Sequence, residues 1–145
     1  MIAVIKAWGE QICRFPFLSL SQVLLLARVG TAAFFGIHAV VRIINGSIPR
    51  FAEFMESVGF ANGSATVWTI TFFELIASVM LMVGRMVGIA TAILMAIAVG
   101  GIILIHRNFG WFVGEHGTGG MEYSFALILL LLVVAAADRK DAERL

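Results

Sequence analysis

Four apolar stretches, at about 21–44, 65–84, 86–105 and 121–137, take up more than half of this 145-residue chain. A helix needs about 20 apolar residues to cross the hydrocarbon core of a bilayer. Lipid offers nothing to an unpaired peptide group, so only helices and closed barrels span a membrane. The alternating ten-residue pattern of a barrel strand is absent. Composition agrees: 61% of residues are hydrophobic, 13% are charged and the mean hydropathy is +1.01, against about 45–50% apolar and 25% charged in a soluble domain. The expected fold is all-α, an integral membrane four-helix transmembrane bundle with short interfacial helices.

Three regions are read along the chain: an interfacial amphipathic segment at 1–20, the four-helix transmembrane domain at 21–138 and a charged cytoplasmic tail at 139–145. In the first, Ile5, Trp8, Ile12 and Phe15 recur at helical spacing, Lys6, Glu10 and Arg14 fall on the other side, and Pro16 ends the run. A signal peptide's apolar core and small-residue cleavage site are not found there. The turn Gly84-Arg85 is so short that the second and third spans must form an antiparallel hairpin. Within 45–64, Pro49 opens and Gly59 closes a short helix. Phe51, Phe54, Met55 and Val58 share one face of it, opposite Glu53, Glu56 and Ser57, and it should plug one end of the bundle. Glycines at 30, 36, 84, 88, 100 and 101 are read as points of close helix approach.

Orientation follows from lysine and arginine in the flanks. With both termini inside, Lys6, Arg14, Arg85, Arg139, Lys140 and Arg144 lie in the cytoplasm, and Arg42, Arg50 and Arg107 lie outside. The expectation is a multi-pass protein of the inner (plasma) membrane, N-in and C-in. A net charge of +1 without a basic stretch excludes a nucleic-acid partner. Cys13 stands alone, so the chain has no internal disulfide, CxxC pair or cysteine zinc cluster. Any electron transfer must use a bound cofactor or a partner's groups.

Two charges fall inside spans. Intramembrane ionisable residues usually face the bundle interior and find a partner. Counting from the inner boundary at about 1.5 Å per residue, Arg28 lies ~10 Å deep and Glu74 ~15 Å deep. An Arg28–Glu74 ion pair between the first two spans is the expectation. If Arg28 instead reaches for the inner interface, Glu74 is left alone as a candidate for proton handling.

A second group collects at the outer ends of three spans. His38 and Arg42 share a face one turn apart, His106 and Arg107 close the third span, and Glu122 and Tyr123 open the fourth. His38, His106 and Glu122 can therefore converge. Two histidines and a carboxylate are a ligand set for a divalent metal, and paired histidines can hold haem. No HxxxH or ExxH spacing supports either, so no metal is assigned, with His38, His106 and Glu122 as the alternative. The reading retained is a polar pocket for a quinone. His38, Arg42, Arg28, Arg107 and Tyr123 would contact it, and His106, Glu122 and Glu74 would do the proton chemistry. Each residue also has a simpler use: His106 and Arg107 as boundary markers beside Trp111 and Phe112, Glu122 as a carboxylate at a helix N-terminus, and His116 as an exposed loop residue.

The segments RVGTAAFFGIH (28–38), FAEFMESVGF (51–60), FFELIASVMLMVGR (72–85) and HRNFGWF…GGMEY (106–123) make the chain similar to the DoxX family of small four-helix membrane proteins. That family includes subunits of thiosulfate:quinone oxidoreductase and of terminal-oxidase assemblies. The resemblance covers about residues 25–137 and carries over Arg28, Glu74, His106 and Glu122 as its functional positions. It implies a component of membrane redox metabolism, possible as an oxidoreductase subunit, with the lipid bilayer, a membrane redox partner subunit and further copies of itself as partners. The alternatives are a non-catalytic accessory or assembly subunit, and a carrier of a small or lipid-like molecule.

Overall fold

The computed structural model describes residues 17–113 and 119–142, with side chains described as far as Arg139. The amphipathic segment expected over 1–16 and the loop residue His116 lie outside the described residues. Five α-helices are found among those described: α1 Leu20–Ile44, α2 Ile48–Ser57, α3 Gly63–Val83, α4 Val87–Leu104 and α5 Glu122–Ala142, with a 3₁₀ turn at His106–Phe109. No strand occurs among them. Three of the helices, α1, α3 and α4, are long and apolar enough to cross a membrane. The fourth long helix, α5, has 21 residues and carries Glu122 at its start and Asp138 and Arg139 near its end.

Local chemistry sets the helix ends. Ser19 caps α1 reciprocally: its Oγ accepts from the Gln22 N–H, and Gln22 Oε1 accepts from the Ser19 N–H at 2.8 Å. Pro49 lies in the first turn of α2, where its missing N–H costs nothing. Asn62 Oδ1 accepts from the Ala65 N–H at 2.9 Å, and Glu56 Oε1 accepts from the Gly63 N–H at 3.1 Å, so two side chains start α3. Gly84 ends α3 in the left-handed region at φ 70°. Met86 is also left-handed, at φ 51°. The hairpin turn therefore includes Met86, and the third span begins at Val87, one residue later than the pattern suggested.

Helix α1 packs on α3 and α5, α3 on α4, and α4 on α5, closing a ring of four antiparallel helices. Their shared core is Ala32 and Phe35 from α1, Ala77 and Leu81 from α3, Leu94 and Ala98 from α4, and Leu131 and Val134 from α5. A second cluster lies at one end, where Ile48, Ala52 and Met55 of α2 cover Val67 of α3 and reach Leu104 of α4. Helix α2 is thus the expected cap over the bundle. Its inward face is rotated from the expected one: Ile48, Ala52 and Met55 are buried, Phe51 and Phe54 are half-buried, and Val58 is 42% exposed. Among the glycines read as close approaches, Gly36 meets Ser78 and Gly101 meets His106, whereas Gly30, Gly88 and Gly100 face open space.

Candidate functional site

Every side chain on a helix leans toward that helix's N-terminus. The N-terminus of α3 is at the α2-capped end, so Glu74 leans toward the cap. Helix α1 runs the other way, so its arginines lean away from the cap. Arg42, near the capped end, leans down toward Glu74, while Arg28 leans away from it. The expected Arg28–Glu74 pair is therefore corrected: Glu74 pairs with Arg42, whose Nη1 lies 2.9 Å from Glu74 Oε2. Depth counted from a common inner boundary had matched Arg28 to Glu74, but α1 is offset along α3: Gly36 stands against Ser78 and Arg28 against Gly84, which leaves Arg28 about 15 Å of helix from Glu74 and brings Arg42 nearly level with it.

The same Nη1 donates to Thr71 Oγ1 at 2.8 Å, and Thr71 Oγ1 donates to the Val67 carbonyl at 2.8 Å. Glu74 and Thr71 are each 1% exposed and Arg42 is 9% exposed. The Arg42 guanidinium also lies 5.5 Å from the centre of the Phe51 ring on α2, within cation–π range. Glu74 Oε2 meets the guanidinium as a charge contact but receives no aligned hydrogen bond, and one turn further along α3 the buried Ser78 Oγ is also without a partner. Two helices of the ring and the cap thus meet at one buried, charged centre. Thr71 escaped the sequence reading, and Phe51 was read there only as part of the apolar face of the cap. Thr71, one turn before Glu74 on the same face, was the available signal.

Arg28 belongs to the opposite end of the bundle. Its guanidinium lies against Gly84, with Nη1 only 2.6 Å from where a Cβ at Gly84 would stand, and its Nε is buried without a hydrogen-bond partner. This corresponds to the expected alternative in which Arg28 reaches for the interface, and it takes Arg28 out of a pocket at the capped end.

The histidines lie toward the capped end, His38 one helical turn before Arg42 on α1 and His106 at the start of the 3₁₀ turn after α4. His38 is exposed on α1, within electrostatic reach of both Arg42 and His106. His106 is half-buried, next to Gly101 and Gly119, and its Nδ1 is buried without a hydrogen-bond partner. Arg107 and Tyr123 are exposed, and neither hydrogen-bonds the buried centre. Glu122 does a structural job. Its Oε1 accepts from the Val113 N–H at 3.0 Å, its own N–H donates to the Trp111 carbonyl at 3.1 Å, and the Met121 N–H donates to the Gly110 carbonyl at 3.1 Å. With the Trp111 and Phe125 rings in tilted contact, 5.0 Å between centroids, these bonds clasp the loop after α4 to the start of α5. No group of three His, Cys, Asp or Glu side chains that could hold a metal occurs among the described residues. The alternative set His38, His106 and Glu122 is not assembled, because Glu122 is turned to the loop backbone.

Comparison with known proteins gives one match. The family model described as DoxX matches residues 23–107, which holds α1 from its fourth residue, α2 to α4, the Arg42–Glu74 centre and His106. No curated protein matches, and no solved structure matches.

Proposed function

The chain belongs to the DoxX family, and from that premise we propose that it is a component of a membrane redox system that contacts quinone at the capped end of the bundle. The observation that carries this reading is the buried, unpartnered His106 Nδ1 within electrostatic reach of His38, itself one helical turn from Arg42 of the buried Arg42–Glu74 pair. A quinone offers two carbonyl oxygens that accept hydrogen bonds, and its reduction to quinol takes up two electrons and two protons. Imidazoles suit both tasks, because they donate hydrogen bonds and exchange protons near neutral pH. Electrons would come from a partner subunit, since the chain has a single cysteine and no redox pair of its own. With an N-in, C-in orientation in the plasma membrane, this end faces the exterior.

The reading is tested by titrating the purified protein with a short-chain quinone and following quenching of tryptophan fluorescence. Saturable binding is expected. His106→Ala should weaken it at least tenfold, or about 1.4 kcal/mol, with no change in unfolding temperature. Absence of saturable binding, or an unchanged affinity in His106→Ala, would contradict the proposal.

A second reading is an accessory or assembly subunit, favoured by how fully Arg42 is engaged by Glu74, Thr71 and Phe51 and by the use of Glu122 as a clasp. In that case the charged residues hold the fold, and the exposed apolar faces meet lipid or a partner subunit. Co-purification of a stable partner from its native membrane, together with no quinone binding, would favour it.

A further inference from the structure

Beside the cap, between α2 and the adjoining ends of α1 and α3, runs an open groove of about 500 Å³, within the size range of small-molecule sites. It is independent of the Arg42–Glu74 centre, which lies under Phe51. Ile43, Ile48 and Trp68 give the groove an apolar floor, and Glu53, Glu56 and Ser64 give it a polar rim. Trp68, in the second turn of α3, is 50% exposed near one end of an apolar span, the place a membrane-interface tryptophan takes. The groove therefore lies where phospholipid headgroups meet acyl chains.

The charges on its rim are arranged for a zwitterion. Glu56 is already engaged by the Gly63 N–H. Glu53 is exposed and makes no ion pair or hydrogen bond among the described residues, and Arg50, one helical turn earlier on α2 and just outside the groove lining, is exposed and equally without a partner among them. Residues three apart on a helix have Cβ atoms about 5–6 Å apart, yet these two side chains form no salt bridge with each other. A positive and a negative side chain one turn apart on the same helix complement the phosphate and ammonium of a headgroup. We infer that this groove binds an ethanolamine phospholipid of the adjoining leaflet. The ammonium sits between the Glu53 carboxylate, the Ser64 hydroxyl and the Trp68 ring, the phosphate faces Arg50, and an acyl chain lies along Ile43 and Ile48. An ammonium over an indole face gains cation–π attraction. An anionic lipid would bring its charge against Glu53 and Glu56 with no ammonium to offset it.

The test is native mass spectrometry of the delipidated full chain, offered equimolar phosphatidylethanolamine and phosphatidylglycerol with matched acyl chains. At least tenfold preferential retention of phosphatidylethanolamine is expected. Glu53→Lys should reverse the preference and Glu53→Gln should abolish it. Both substitutions are on an exposed position, and circular dichroism verifies that helix content is retained. A preference below tenfold, retention of neither lipid, a preference that Glu53→Lys leaves intact, or a second copy of the chain filling the groove would each overturn the assignment.

Discussion

Replacing Glu74 with alanine is expected to destabilise the bundle by about 3–5 kcal/mol, the usual cost of removing one partner of a buried ion pair. The cost comes from the group left behind. Arg42 is 9% exposed, and its Nη1 would keep only the Thr71 hydroxyl and the Phe51 ring in place of a full counter-charge. An ordinary interhelical hydrogen bond in a membrane protein averages only about 0.6 kcal/mol, so Thr71→Val should cost far less than Glu74→Ala. The double substitution Arg42→Met with Glu74→Leu should recover most of the loss, because no buried charge then remains. Unfolding in mixed micelles measures all three variants against the unaltered chain. Equal losses for Glu74→Ala and Thr71→Val, or no rescue by the apolar pair, would show that the charge is not the controlling term.

The second large effect is expected at Gly63. A Cβ on this residue would run into the backbone carbonyl of Ala52, and Glu56 Cγ would stand 2.9 Å away. Backbone cannot step aside as a flexible side chain can, so Gly63→Leu must lift α2 from α3. Lifting it removes the Glu56 cap from the Gly63 N–H and uncovers Ile48 and Met55, which are 7% and 1% exposed. Burial of side chains of this size is worth about 1.5–3 kcal/mol each when the alternative is water, a ceiling here because lipid can cover part of the exposed surface. Phe51 would move off Arg42 as well. Hydrogen exchange should therefore rise across Ile48–Ser57 in Gly63→Leu and remain low in the centres of α3 and α4. Unchanged protection of α2 would show that the close approach at Gly63 is not what seats the cap.

Much of this architecture is legible in the residues. Length and hydropathy locate α1, α3 and α4, Pro49 and Gly59 bracket the cap, and Gly84 gives the hairpin. The site is legible as a set of polar residues, but its pairing is not. Arg28 and Arg42 stand on the same helix, and distance along the membrane normal favours Arg28. That count assumes a shared inner boundary, and the packed register of α1 on α3 is what sets Arg42 beside Glu74 and leaves Arg28 at Gly84, about 15 Å of helix away. The loop after α4 misled for a different reason. Glu122 reads as a free carboxylate facing a pocket, but the Val113 N–H needs an acceptor, and a carboxylate nine residues away in sequence is brought to it by the fold-back at Gly110. Long-range backbone needs of this kind leave no periodic trace in a sequence.

The register of α1 against α3 underlies the whole account, since it sets Arg42 on Glu74, Gly36 on Ser78 and Arg28 on Gly84. A Cβ at Gly36 would stand 3.4 Å from Ser78 Cβ, close to the Cβ separation of about 3.5–4.5 Å that a disulfide spans. The direct measurement is disulfide formation in the full chain carrying Gly36→Cys, Ser78→Cys and Cys13→Ser under mild oxidation in the membrane. The register described here predicts rapid, near-complete cross-linking within one chain. No cross-link at this pair, with efficient linkage instead between positions one or two turns further along α3, would contradict it.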